Sequence, residues 1–114
     1  MYILFSMLQY KASKRVRNQY KLNTHHLTVL FTCYVYNKYL NDTFVIYNIL
    51  QLLNSYNSKR LGKYINSLVS IGLIALAGAR KYKLTPEGFQ VIQSISVNMD
   101  QVLYKFCNDH DIEL

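Results

Sequence analysis

The sequence predicts a mainly α-helical domain that carries one small β-hairpin. Apolar residues recur at spacings of three and four over most of the chain, the periodicity of helices with one buried face. One stretch, residues 73–85, breaks that rhythm with two short apolar runs around a basic tip that contains a glycine. Directly after it, Thr85-Pro86-Glu87 combines a capping side chain, proline at the first helical position and an acid in the first turn, which marks a helix start.

The elements follow in order. Leu4, Leu8, Ala12, Val16 and Tyr20 recur at i,i+4, with Lys11, Lys14, Arg15 and Arg17 mostly off that line, so residues 2–20 read as an amphipathic helix. Asn23 or Thr24 caps a second helix to about Leu40, with Leu27, Leu30, Phe31, Tyr34 and Val35 toward the core. Asn41-Asp42 breaks it. A third, shorter helix spans about Val45 to Leu53, with Ile46, Ile49, Leu50 and Leu53 on one face, and the turn residues 54–58 close it. A fourth starts with Asn57 or Ser58 as N-cap and ends near Gly72. Its buried stripe is Leu61, Ile65, Leu68 and Val69, which leaves Lys59, Arg60, Lys63, Asn66 and Ser67 on the other side. Two helices joined by a short turn, the second with a basic outer face, have the outline of a helix-turn-helix.

The hairpin comes next, as Leu73–Ala77, the tip Gly78–Lys81, and Tyr82–Thr85, followed by a long helix over 86–107. On that helix Ile92, Ile95, Met99, Val102 and Phe106 are spaced 3, 4, 3 and 4 residues apart, the narrow seam of paired helices. The seam suggests dimerisation; the same face could instead pack on the first helix of its own chain.

With 114 residues, 51% hydrophobic and 17% charged, the chain fits one compact globular domain over 1–114 and excludes a large multidomain enzyme. Thirteen Lys and Arg stand against six Asp and Glu, for a net charge of +7. The excess is uneven: residues 1–86 hold 12 of the 13 cations and one acid, Asp42, whereas the end of the chain closes in an acidic tail, residues 108–114. A basic body suggests a polyanionic partner, because clustered Lys and Arg release condensed counterions when they neutralise phosphates. Nucleic acid is the first candidate and an anionic membrane surface, met by residues 1–20, the second.

Other classes find little support. There is no Gly-rich phosphate loop, no Cys-x-x-Cys and no His-Glu-x-x-His, so neither an enzyme nor a cofactor is expected. No metal site is expected either: His25 and His26 are adjacent, and neighbouring residues on a helix point about 100° apart. Cys33 and Cys107 lie among apolar or aromatic residues and read as free buried thiols. The apolar N-terminus lacks the basic region of a signal peptide, and long uncharged stretches such as 22–37 and 64–79 fall short of the roughly 20 residues of a membrane span. A cytoplasmic protein is expected.

The stretch Leu61 to Ile74, LGKYINSLVSIGLI, followed by YKLTPEG at 82–88, resembles the MarR-type winged-helix transcriptional regulators. In that family the recognition helix carries an apolar residue four before Gly-Leu-Ile, and the wing returns into a Leu-Thr-x-x-Gly turn; here these are Leu68, Gly72-Leu73-Ile74 and Leu84-Thr85-Pro86-Glu87-Gly88. The sequence LTVL at 27–30 is similar to the family's second helix, and the resemblance covers about residues 24–106. It implies a winged helix-turn-helix over 24–85 flanked by N- and C-terminal dimerisation helices, and sequence-specific binding of double-stranded DNA by a homodimeric regulator. Carried over by position, Ser58, Lys59, Arg60, Lys63, Asn66 and Ser67 become the DNA-facing residues of the recognition helix. Arg80 becomes the candidate for the minor groove, with Lys81 and Lys83 on phosphates. Dimerisation falls to Leu4 and Leu8 of the first helix and to Ile92, Ile95, Met99, Val102 and Phe106 of the last. Tyr64 is placed at the core edge, and no residue marks an effector pocket. A winged helix that binds proteins instead, or one that serves replication of a mobile element, would use the same elements.

Overall fold

The structure is a computed structural model that describes residues 10–53 and 55–109, the side chains of 99, 100, 102–107 and 109 excepted. Five helices and one hairpin follow in the order α1 (Lys14–Tyr20), α2 (Thr24–Tyr39), α3 (Ile46–Leu52), α4 (Ser58–Ser70), β1 (Ile74–Gly78), β2 (Lys81–Leu84) and α5 (Pro86–Asp109). A mainly helical chain with a two-stranded antiparallel hairpin is thus what the sequence forms, a layout compatible with a winged helix.

The first helix is not continuous as expected. Residues 10–12 are helical, Ser13 leaves the helix, and α1 resumes at Lys14. Ser13 is wholly buried and its hydroxyl donates to the Tyr10 carbonyl at 3.2 Å while accepting from Arg17 Nε at 3.0 Å. Such local bonding offers the backbone an alternative to the helical ladder. The apolar line still holds across the break: Ala12 and Val16 are buried and Tyr20 is half-buried. Residues 2–9 lie outside the described part.

Asn23 caps α2 by accepting from His26 N–H at 3.0 Å, and His26 Nδ1 accepts in return from Asn23 N–H at 3.2 Å. This helix is the centre of the core. Leu27 and Leu30 are buried as expected, but so are Val29 and Cys33, which lie off the expected stripe, while Phe31 and Tyr34 are half-buried and Val35 is exposed. The reason is that α3, α4, α5 and β2 all pack on α2, so its apolar surface is wider than one stripe. Val35 falls outside that cover.

α3 begins where Val45 N–H donates to Asn48 Oδ1, and Ile49 is its fully buried residue. Asn57 caps α4 by accepting from Arg60 N–H at 2.8 Å, which makes Ser58 the first helical residue. Leu61, Ile65 and Leu68 of α4 are completely buried, and Gly72 ends the helix region in the left-handed conformation (φ +85°) that a residue without a Cβ adopts at little cost.

The hairpin register pairs Ile74 with Leu84, Ala75 with Lys83 and Leu76 with Tyr82, and an irregularity at Ala77 brings Gly78 opposite Lys81. Phe44 adds a single bridge to its outer side, exchanging both backbone hydrogen bonds with Tyr82 at 2.8 Å. Asn37 ties these parts together: its amide nitrogen donates to the carbonyls of Asn41 and Asp42, and its oxygen accepts from Leu84 N–H.

The turn into α5 is a clasp made by the two motifs quoted above. Thr85 Oγ1 donates to the Gly72 carbonyl at 2.7 Å and accepts from Gly88 N–H at 3.0 Å, while Thr85 N–H donates to the Leu73 carbonyl. Val91, Ile92 and Ile95 then carry α5 into the core. Two hydrogen bonds tie it to the N-terminal part of the chain, Tyr20 Oη donating to Glu87 Oε1 at 2.8 Å and Asn98 Nδ2 to the Ala12 carbonyl at 3.4 Å. The Glu87 contact raises the Tyr20 pKa, mainly through that hydrogen bond.

Candidate nucleic-acid interface

The amphipathic pattern of α4 fixes which side chains it presents. Positions 61, 65 and 68 are anchored in the core, so Lys59, Arg60, Lys63 and Asn66 are exposed away from it, and Ser58 is exposed at the start of the helix. Ser67 is the exception among the expected residues. It is half-buried and its hydroxyl donates to the Lys63 carbonyl at 3.1 Å, which leaves it only acceptor capacity for a ligand. No acid interrupts this helix.

The hairpin supplies the second set. Lys81 and Lys83 alternate along β2 with half-buried Tyr82 and buried Leu84, so both cations lie on the strand's outer side. Arg80 is exposed at the tip in the left-handed conformation (φ +59°), which costs a residue with a Cβ roughly 1–2 kcal/mol. Sequence reasoning placed all three correctly on the surface, but the backbone strain at Arg80 has no signal in the sequence, because glycine is the residue expected there.

Arg60 differs from its lysine neighbours in being held. Its guanidinium carbon lies 4.9 Å from the Tyr56 ring centroid and 5.9 Å from that of Tyr64, and Nη2 is 3.3 Å from His25 Nε2. His25 stacks on Tyr64, with centroids 5.6 Å apart, and its Nδ1 lies 2.7 Å from Tyr56 Oη. His26 meets Tyr64 edge-on at 5.0 Å. Tyr64 is therefore half-buried at the core edge, as the sequence suggested, and forms the floor of a cluster the sequence did not reveal. The cluster joins residues 31 and 35 positions apart, and no local periodicity encodes such a meeting.

Two groups in the cluster titrate away from their ordinary values. Burial, and then the neighbouring His25, lowers the His26 pKa, and burial raises that of Tyr56 against the opposing effect of Arg60. Neither histidine belongs to a metal-ligand set, since no group of three His, Cys, Asp or Glu side chains converges among the described residues. Cys33 is fully buried and free, and its thiol pKa is pushed well up by that burial.

The expected dimer seam needs correction. Ile92 and Ile95 are buried in the core of their own chain, with 1% and 0% of their surface exposed, so they have no free face to offer a second subunit. For these two residues the spacing that suggested pairing is the ordinary stripe of a helix packed on its own domain. Leu4 and Leu8, and the side chains of Met99, Val102 and Phe106, lie outside the described residues. Arg17 is likewise not a free cation: Nη2 donates to the Tyr10 carbonyl at 2.7 Å and the guanidinium carbon sits 4.0 Å over the Tyr10 ring. Lys11, Lys14 and Arg15 remain exposed, lining an open cleft between α1 and α5 with Asn18, Asn98 and Gln101.

No known protein family, curated protein or solved structure matches the chain. Among the described residues no helix is long and apolar enough to cross a membrane.

Proposed function

We propose that the chain is a winged-helix protein of the MarR type that binds double-stranded DNA through α4 and the hairpin. The observation that supports this most is the division of α4: one side is wholly buried and the other exposes Lys59, Arg60, Lys63 and Asn66 with no acid between them. A helix of 13 residues is about 20 Å long and fits lengthwise in a major groove about 12 Å wide. There Arg and Lys match guanine O6 and N7 or phosphate, and Asn matches adenine N6 and N7. Arg80 at the hairpin tip, with Lys81 and Lys83 behind it, adds minor-groove and phosphate contacts.

In this reading the protein acts as a homodimer in transcriptional control, with one α4 per half-site and half-sites about one helical turn apart. With Ile92 and Ile95 committed to the monomer core, the subunit contact is left to Leu4, Leu8, Met99, Val102 and Phe106. A replication role would employ the same surface. A protein partner is the second reading, favoured by the exposed apolar end of α2, where Val35, Tyr39 and Leu40 are open to solvent.

Fluorescence anisotropy of a labelled mixed-sequence duplex, titrated at several salt concentrations, separates the two. Six cations engaging phosphate or base edges give a slope of log K against log salt of about −5. A protein-binding module gives weak duplex binding with a slope near zero.

A further inference from the structure

Arg60 occupies a seat that only a neutral His25 can complete. A guanidinium has five donors and no acceptor, so the 3.3 Å contact between Arg60 Nη2 and His25 Nε2 requires Nε2 to be the unprotonated nitrogen. The ring proton is then on Nδ1, which donates to Tyr56 Oη at 2.7 Å. Tyr56 and Tyr64 close the seat with their rings, at 6.0 Å from each other and nearly perpendicular. Around it stand His26, whose pKa is lowered by burial and then by His25 and whose Nδ1 accepts from Asn23 N–H, and the tyrosine hydroxyls. Among the described residues no acid side chain pairs with the cation. Asp42, the one acid before Glu87, follows the far end of α2, about 21 Å of helix away from His25.

We propose that His25 is a positioning residue of the DNA-facing surface, which seats Arg60 for base reading when neutral and releases it to phosphates when protonated. A proton added at Nε2 uses the lone pair that accepts from Arg60, turns the contact into two facing donors, and places two positive charges beside each other. The guanidinium then swings from its aromatic platform, and the imidazolium adds a second charge to the face. Seated, Arg60 is preorganised for a bidentate contact with a guanine; released, it contributes to binding that ignores sequence. The inference rests on the DNA-binding reading of α4, and its test has one arm that needs no DNA.

That arm is an NMR titration of the histidine ring signals in the free protein. The seat needs Nε2 to accept from Arg60, so Arg60→Ala should move the His25 ring nitrogen and C–H signals at about pH 8; unchanged signals overturn the seat. The second arm measures affinity for a mixed-sequence duplex at about pH 8 and about pH 5.5, the range in which an imidazole changes charge. Wild type is expected to bind about tenfold more tightly at the lower pH, with a steeper salt slope. His25→Gln, whose amide oxygen can accept from Arg60 and does not titrate, and Arg60→Ala should both lose most of that gain, whereas His26→Gln should keep it. If Arg60→Ala keeps the full gain, His25 acts as a plain charge and the positioning role is wrong. If His25 responds to Arg60→Ala in the free protein but wild type shows no salt-dependent duplex binding at either pH, the DNA reading itself fails and takes this role with it.

Discussion

The Lys59→Ala/Arg60→Ala/Lys63→Ala variant is expected to bind duplex DNA about 100-fold more weakly than wild type near physiological salt. The change removes three exposed cations from one side of α4 and touches none of its buried anchors, Leu61, Ile65 and Leu68. Loss of a base-reading arginine costs about 1–3 kcal/mol, and each lost phosphate contact also flattens the salt slope by about 0.9. Affinity and slope should therefore fall together, the slope by about 2 for the two lysines. Fold stability should change little. Arg60 leaves its stacking on Tyr56 and Tyr64, which is worth about 1 kcal/mol at an exposed site, and the two lysines contribute less. Anisotropy titrations paired with thermal unfolding measure both quantities. Equal affinity of variant and wild type would remove α4 from the interface.

The second large effect is on stability. Gly88→Ala is expected to lower Tm by about 10 °C, although alanine is the better helix former by about 1 kcal/mol. A Cβ at residue 88 would overlap the Leu73 carbonyl oxygen and stand 2.9 Å from Leu84 Cγ. That oxygen is backbone and already accepts from Thr85 N–H, so it cannot move without opening the clasp between the end of α4 and the start of α5. Overpacking of this kind costs roughly 1–3 kcal/mol, and overlap with a fixed backbone oxygen puts it at the upper end, about 2 kcal/mol beyond the propensity gain, each kcal/mol being worth about 4–8 °C in a domain of this size. Gly62→Ala gives the opposite result. A Cβ there meets Ile46 Cδ1 at an ordinary 3.6 Å, so the propensity gain is kept and Tm should rise by several degrees. Thermal unfolding followed by circular dichroism distinguishes the two, and an unchanged Tm for Gly88→Ala would contradict the clasp.

What the sequence disclosed follows from what is local. The stripe of α4, the caps at Asn23 and Asn57, the start of α5 at Thr85-Pro86 and the hairpin around Gly78 are each set by residues a few positions apart, and periodicity and cap chemistry read them directly. Burial on α2 was only partly legible, because Val29 and Cys33 are covered by elements distant in sequence while Val35 is not. Phe44 gave no strand signal: it forms one bridge, to Tyr82, and a single bridged residue carries no alternation. The 3-4 pattern of Ile92 and Ile95 is the same for a helix packed on its own domain and for one packed on a partner, so only their burial separates the two. At the candidate interface the exposed cations were legible as the complement of the buried stripe. The seat of Arg60 was not, since His25, Tyr56 and Tyr64 come from three separate parts of the chain.

The most direct measurement is amide NMR of the labelled protein titrated with an unlabelled DNA duplex. The proposed binding mode predicts that the largest shifts fall at Ser58 to Ser67 and at Arg80 to Lys83, with smaller changes near His25 and Tyr56, and that added salt reverses them. Shifts concentrated instead at Val35, Tyr39 and Leu40, or no saturable shifts at low salt, would contradict recognition of DNA by α4 and the hairpin.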